Sequence, residues 1–383
     1  MKNLWADNPG KRAGGVLRKL STFIFFSCFL LFPPSLPGEV LVLKNGRTYK
    51  GDIVRWDRKN YFVSRLKRLL PIRDVAWISS KKDTDEIIRE WWKGIRNRPD
   101  LEDALLPLAR FCLQEGRVKK GLEFARAWGK FRLWKAYLSR EFLILTNAKE
   151  PLARAVGTRL DAAMDLFRRE FPGGGKKPYG CVVRLFATWN GFYRFAQTLP
   201  GKPGTAFYSP RQRMMYLPNT KLETLRWTFS GAYREACAYY LVECLLEYHP
   251  RYTWILAGVG SCFETAHMEN GKLVGAWKKH PRYAERIRVA MKSGTYTPLS
   301  SFFRLKAADF AGGDAYEMHY AQAWSLAWFL HESGKPAYRN ALFRYLKVLK
   351  KGKDDEKALK AALLPRGLKR LERDWKAFFG VRR

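Results

Sequence analysis

An α+β fold built in successive units is what this sequence predicts, on three observations. Residues 39–80 alternate short apolar runs with turn signals, residues 83–136 space their apolar side chains at helical intervals, and from Ser139 onward strands and long helices are interleaved. With 383 residues, 47% of them hydrophobic, the chain can bury a full-sized core and is long enough for more than one unit. An aromatic content of 15%, including 14 Trp, suits packed helices and excludes a long disordered protein.

Lys2, Lys11, Arg12, Arg18 and Lys19 precede an apolar run over 23–32 that ends at Pro33, Pro34 and Pro37. A basic lead before a short apolar run reads as a secretory signal, here over residues 1–38. The expected location is therefore periplasmic, cell-envelope or extracellular. The run is shorter than the roughly 20 residues that span a bilayer, so anchoring by an uncleaved signal is the weaker alternative. Cys28 lies inside the run and not at its end, which argues against lipid attachment. Loss of the signal removes five basic residues and one acidic one, and the formal charge falls from +36 to about +32. Such a charge draws polyanions by long-range, salt-sensitive steering. For an exported protein these are acidic envelope polymers, anionic lipid surfaces or acidic proteins, and the alternative is a merely solvated cationic surface. Nucleic acid is disfavoured, since no binding module accompanies the charge. The remaining cysteines, Cys112, Cys181, Cys237, Cys244 and Cys262, are odd in number and irregularly spaced, so buried thiols are expected in preference to a disulfide framework.

The apolar runs at 40–43, 53–56, 61–63 and 75–78, with Asn45-Gly46 as a hairpin signal, predict a small SH3-like or Sm-like barrel over 39–80. Lys44, Arg47, Lys50 and Arg55 make one face of it basic. Residues 83–136, with Thr84 as N-cap, resemble a tetratricopeptide helix pair. One pair cannot build a solenoid groove, so this part reads as a connector. Residues 139–383 form the last unit: a strand at 142–145, a helix at 151–171, a Gly173–Gly175 loop, a strand at 181–186, and a hairpin from 206–208 and 214–217. Thr220-Lys221-Leu222-Glu223 is a capping box. It opens a helix whose stripe Phe229, Ala232, Tyr233, Ala236, Cys237 and Tyr240 faces the core, and Pro250 ends it. Further helices start near Trp254 and run through 320–330 and 371–379.

That capped helix contains Arg234-Glu235-Ala236-Cys237-Ala238, and Trp254-Ile255-Leu256-Ala257-Gly258 follows it. In a helix of the form His-Glu-x-x-His, histidines at i and i+4 share a face and bind zinc, while the Glu activates the metal-bound water. Arg234 and Ala238 stand in the histidine places. Taken with the strand 182–186, Phe192-Tyr193-Arg194-Phe195, the 206–208 hairpin, residues 254–264 and Tyr320-Ala321-Gln322-Ala323-Trp324, residues 139–380 resemble the peptidase MA-like domain. This is a gluzincin-type family of secreted bacterial proteins. The resemblance implies a small sheet packed on helices, with a cleft between the metal helix and the glutamate helix. It also implies, for members with an intact site, a third zinc ligand from the Glu of Trp-x-x-Glu-Gly. Ala257 holds that place, eighteen residues beyond Ala238.

Arg234 offers only N–H donors and a permanent charge, and the alanines offer no ligand atom, so neither zinc nor another cofactor is expected. Glu235 is then a vestigial general base. Its simplest role is an ion pair with Arg234, Arg226 or Lys221. Tyr320 is placed by the resemblance where a phenol would stabilise an oxyanion, with a cleft-wall role as the plainer reading. A rearranged metal site would have to draw on Glu235, Cys237, Cys244, Cys262, Glu264 and His267, the pair Glu264 and His267 being read as i,i+3 neighbours on one helical face. No Gly-x-Ser-x-Gly elbow, phosphate-binding Gly loop, dinucleotide fingerprint or CxxC pair is present. The expected protein is an exported pseudopeptidase that binds or scaffolds. Its alternatives are a metallopeptidase with a rearranged site and a basic polyanion-binding envelope protein.

Overall fold

A computed structural model describes residues 38–45, 47–55, 60–63, 68–79, 83–199, 205–219, 225–311 and 315–381. Of the segment 1–38 read as a signal, residues 1–37 lie outside them and Gly38 opens the first strand; Gly46 and the capping box at 220–223 also lie outside. The chain divides into two compact units, residues 1–94 and 95–383. No helix of the described residues is long and apolar enough to cross a membrane.

The first unit is an antiparallel sheet of β1 (Gly38–Leu43), β2 (Thr48–Arg55), β3 (Asn60–Val63), β4 (Arg68–Pro71) and β5 (Val75–Ser79), in the order β4-β3-β2-β1-β5. A three-residue 3₁₀ turn, Ile72–Asp74, joins the two edge strands. Four strand spacings would put the edges of a flat sheet roughly 19 Å apart, beyond the about 14 Å that this link can reach. The sheet must therefore curl. No ladder joins β4 to β5 among the described residues, so the closed barrel expected from the sequence is not formed; the sheet is curled but open. The helix α1 (Thr84–Ile95) is capped by Asp83 and not by Thr84, because the Asp83 carboxylate accepts the Glu86 N–H at 2.9 Å. Trp91 of α1 stacks on Trp77 of β5 with centroids 5.8 Å apart, and Ser79 donates to Glu90 at 2.6 Å. A Cβ at Gly94 would lie 2.7 Å from the Trp77 ring, so the absence of a side chain there lets the helix sit against the indole.

The second unit begins with the antiparallel helices α2 (Leu101–Gln114) and α3 (Val118–Arg132). Its sheet runs β6-β7-β8-β10-β9, formed by β6 (Lys135–Leu138), β7 (Leu143–Thr146), β8 (Val182–Phe186), β9 (Phe207–Ser209) and β10 (Met214–Pro218). The inner strands β7, β8 and β10 are parallel and almost wholly buried, and the edge strands β6 and β9 pair antiparallel. Between them run α4 (Glu150–Glu170) and α5 (Trp189–Ala196). The remaining helices are α6 (Leu225–Tyr239), which continues as a π-helix over Tyr240–Leu246, α7 (Trp254–Ser261), α8 (Pro281–Ser293), α9 (Leu299–Phe302), α10 (Ala307–Ala311), α11 (Tyr316–Glu332), α12 (Pro336–Gly352), α13 (Asp355–Ala362) and α14 (Leu368–Phe378). A hairpin of β11 (His267–Glu269) and β12 (Lys272–Val274) lies between α7 and α8. One continuous core runs from β7 and α4 through the inner strands to the C-terminal helices, anchored by the fully buried Trp254, Trp324 and Trp375.

The α2–α3 pair belongs to this second unit, and Arg110 of α2 shows how it is held. Its buried guanidinium donates to the carbonyls of Gln212, Gly180 and Arg213 at 2.9, 3.3 and 3.4 Å. Desolvation, with Arg213 adding repulsion, pushes its pKa down to about 10, so the side chain is still charged at neutral pH. Arg110→Met keeps much of the stem but removes its bonds to these carbonyls, of which Arg213 keeps the Val182 N–H. It should lower unfolding free energy by about 2 kcal/mol, and an unchanged urea midpoint would contradict this account.

Candidate functional site

The buried stretch of α6 and the apolar α7 determine what meets at Arg234. Residues 232–237 of α6 are all buried, and so is every residue of α7, so neither helix has a solvent face along these stretches. Small residues then set how near the backbones come. A Cβ on Gly260 would lie 3.0 Å from both Cγ and the carbonyl oxygen of Arg234, and a Cβ on Gly258 would lie 2.4 Å from the Ala323 carbonyl of α11. Arg234 is thereby enclosed between α6, α7 and α11.

Arg234 is only 7% exposed, yet its donors are well used. Nε donates to Glu235 Oε1 at 2.7 Å and Nη1 to Glu264 Oε1 at 2.9 Å. Nη2 reaches the Ala206 carbonyl at 2.9 Å and Thr205 Oγ1 at 3.2 Å. The guanidinium carbon lies 5.1 Å from the centre of the Tyr320 ring, a cation–π contact. Glu235 Oε2 accepts the Tyr208 N–H of β9 at 2.8 Å, and Glu264 also accepts from Ser261 and Tyr283 at 3.3 Å each. His280 Nε2 stands 3.6 Å from Glu264 Oε2. The Glu264 carbonyl takes the Ser230 hydroxyl at 2.8 Å, which fastens the turn after α7 to α6.

Electrostatics follow from this burial. Desolvation opposes the Arg234 charge, but Glu235 and Glu264 outweigh it and hold its pKa well above the ordinary value. Burial pushes the Glu235 carboxyl above the usual carboxylate range, with Arg234 pulling the other way. The Tyr320 phenol is raised well above its ordinary value by burial. Cys237 and Cys262 are buried thiols whose desolvation likewise raises them, and Cys244 is pushed up to about 11. All five described cysteines are free and buried, which makes them poor nucleophiles.

The structure brings together some of the residues singled out in the sequence and separates others. Arg234, Glu235, Glu264 and Tyr320 form one cluster. Ala238 lies partly buried on α6, one turn beyond Arg234, and Ala257 is buried on α7. The expected helical pairing of Glu264 with His267 is wrong: α7 ends at Ser261, Glu264 sits in the following turn, and His267 is exposed on β11. Asn270 and Gly271, both at positive φ, close the β11–β12 hairpin, and this Asn-Gly signal was there to be read. Lys221 lies outside the described residues. Among the described residues no group of three or more His, Cys, Asp or Glu side chains is placed to hold a metal ion.

Beside Arg234 opens a cleft of about 220 Å³, lined by Arg234 and Glu264 but not by Glu235. Thr205, Tyr283, Tyr316 and Tyr320 contribute to its walls, with Trp189 of α5 and Trp227 of α6. Sequence reasoning missed Thr205, Tyr283, Trp189 and Trp227, because nothing in a chain with 14 Trp separates a cleft indole from a core one. Glu235 has both oxygens committed, one to Arg234 and one to the Tyr208 N–H, so it offers little to a proton in the cleft. Comparison with known protein-family models and with curated proteins finds no match for this chain.

Proposed function

We propose that the chain is an exported pseudopeptidase: a gluzincin-like scaffold behind an SH3-like N-terminal unit, with Arg234 in the place of the metal, serving as a binding or structural module. The observation that carries this reading is the double ion pair of Arg234 with Glu235 and Glu264 at 2.7 and 2.9 Å. One guanidinium meets the electrostatic need of two buried carboxylates, a need that a cation would otherwise meet. Glu235 is held as a structural partner, and the cleft beside Arg234 stays open to a ligand.

Metal analysis of the purified mature protein tests the reading. The expected result is no stoichiometric zinc and no chelator-sensitive hydrolysis of a peptide library. Finding either one would reject the proposal in favour of a metallopeptidase with substituted ligands. The scaffold has a test of its own. Arg234→His, Ala238→His and Ala257→Glu together restore the three donors on α6 and α7, and the triple variant should gain zinc at about one equivalent per chain. A well-folded triple variant that fails to retain zinc would argue against the gluzincin-like geometry.

A second reading, polyanion binding, rests on α12. This helix exposes Arg339, Arg344, Lys347, Lys350 and Lys351 and contains no acidic residue. Replacing Arg344, Lys347 and Lys351 by Gln should weaken retention on an immobilised polyphosphate and flatten its salt dependence. Retention that is indifferent to salt would rule this surface out.

A further inference from the structure

The cleft beside Arg234 combines features that specify the kind of molecule it holds. Its charged groups are already engaged within the protein. Arg234 is bound to Glu235 and Glu264 in the interior, and Arg282 at the rim pairs with Glu317, which Arg286 also reaches from outside the lining. A charged ligand entering the cleft would have to break the buried Arg234 pairs, while the exposed rim arginines offer only screened attraction. The available chemistry is hydroxyl and aromatic. Thr205 Oγ1, which accepts from Arg234 and donates to the Ala206 carbonyl at 3.3 Å, lies 3.1 Å from Tyr316 OH, so the hydrogen-bonding capacity left for a guest is chiefly that of the Tyr316 hydroxyl. The indoles of Trp189 and Trp227 border the opening while 40% and 56% exposed, whereas few other large aromatic side chains among the described residues are exposed. Tyr193, one turn along α5 from Trp189, is 48% exposed and extends the aromatic surface outside the cleft.

Size narrows the class further. At about 220 Å³ the cleft is smaller than the roughly 300 Å³ at which pockets begin to enclose drug-sized molecules. It accommodates a single ring, with any continuation of the ligand running out over the exposed indoles. A guest that is uncharged, presents a flat C–H face to an aromatic ring, and carries hydroxyls around its edge satisfies all three conditions. Those are the properties of a pyranose.

We propose that this cleft is a saccharide-binding site, taking one ring of a neutral glycan between Trp189 and Trp227 with its hydroxyls toward Tyr316. The inference rests on the pseudopeptidase reading, since it requires a cleft that Arg234 occupies without a metal. It goes further in naming the class of ligand.

The test uses the full mature chain on a glycan array that carries neutral, uronic-acid and phosphorylated oligosaccharides, read at low and high salt, beside an unstructured-peptide array. Binding to neutral glycans that persists at high salt is expected. Trp189→Ala and Trp227→Ala should each weaken it roughly tenfold, the loss of one aromatic contact. Both side chains are exposed, so thermal melting should be unchanged and will show that the variants are folded. Absence of neutral-glycan binding overturns the proposal. So does binding confined to acidic glycans and abolished by salt, or peptide binding that the tryptophan variants abolish, or neutral-glycan binding that both variants retain. Zinc analysis of the same preparation separates the two readings. A zinc-free protein that ignores neutral glycans defeats the saccharide site alone, whereas stoichiometric zinc defeats the pseudopeptidase reading itself.

Discussion

Arg234→Ala should be among the most damaging single substitutions in the second unit, costing about 3–5 kcal/mol of unfolding free energy. The reason lies less in the bonds lost than in what is left. Glu235 and Glu264 are each 7% exposed, and Arg234 supplies the guanidinium that both contact. Without it two carboxylates share a desolvated site, and Glu264 adds its repulsion to the burial that raises Glu235. The sign of the pH dependence follows. In the variant the Glu235 carboxyl, already raised by burial, loses the guanidinium that pulls it down, so its contribution is kept below about pH 4 and lost as pH rises through its raised folded value. The deficit relative to wild type should thus be smallest in acid and grow toward neutrality. Urea denaturation of both proteins between pH 4 and pH 7 measures it, and a deficit independent of pH would refute the electrostatic explanation. A second variant isolates the cause. Arg234→Met with Glu235→Leu and Glu264→Met removes all three charges together and should recover most of the stability, because a buried ion cluster is often replaceable by apolar side chains of similar volume.

The same cluster shows where sequence reasoning stops. The helix around Glu235 was legible because its apolar residues recur at three- and four-residue steps, and the strands at 182–186, 207–209 and 214–218 were legible as short apolar runs with turns between them. The Arg234–Glu264 contact was not, because it joins residues thirty apart whose approach depends on glycines at the α7 surface. The edge strand β6 was missed for another reason. Only Ala136 among its four residues is fully buried, and a strand with one wet face and one neighbour leaves little hydrophobic pattern. The π-helical continuation of α6 was hidden by uniform burial, for when every residue from Tyr240 to Leu246 is inside, no apolar period remains to betray a change of pitch. Thr84 was a reasonable cap on residue type, yet Asp83 does the work, and such one-residue ambiguities cannot be resolved without the backbone.

Gly258→Ala should separate α7 from α11 and cost about 3 kcal/mol or more, the upper end of what overpacking usually costs. The added Cβ would lie 2.4 Å from the carbonyl oxygen of Ala323 and 2.9 Å from its carbonyl carbon. Those atoms are backbone in the middle of a seventeen-residue helix, so no rotamer change can relieve the clash. The Ala327 methyl, 3.2 Å away, blocks sliding toward the next turn of α11. Relief requires the helices to move apart, and the cost then spreads to neighbouring contacts. Arg234 is held from α6 against Glu264 after α7 and Tyr320 on α11, so the movement should also loosen the double ion pair and increase exposure of the buried tryptophans Trp254 and Trp324. Gly352→Ala is the informative control. It lies at the end of α12 with nothing within 4 Å of the added Cβ, so the same chemical change should leave the protein unchanged or stabilise it by about 0.5–1 kcal/mol. If the two variants unfold at the same denaturant concentration, close backbone approach is not what glycine provides at position 258. A large difference, with tryptophan emission shifted to the red in Gly258→Ala alone, would establish that the α7–α11 spacing holds Arg234 between its two carboxylates.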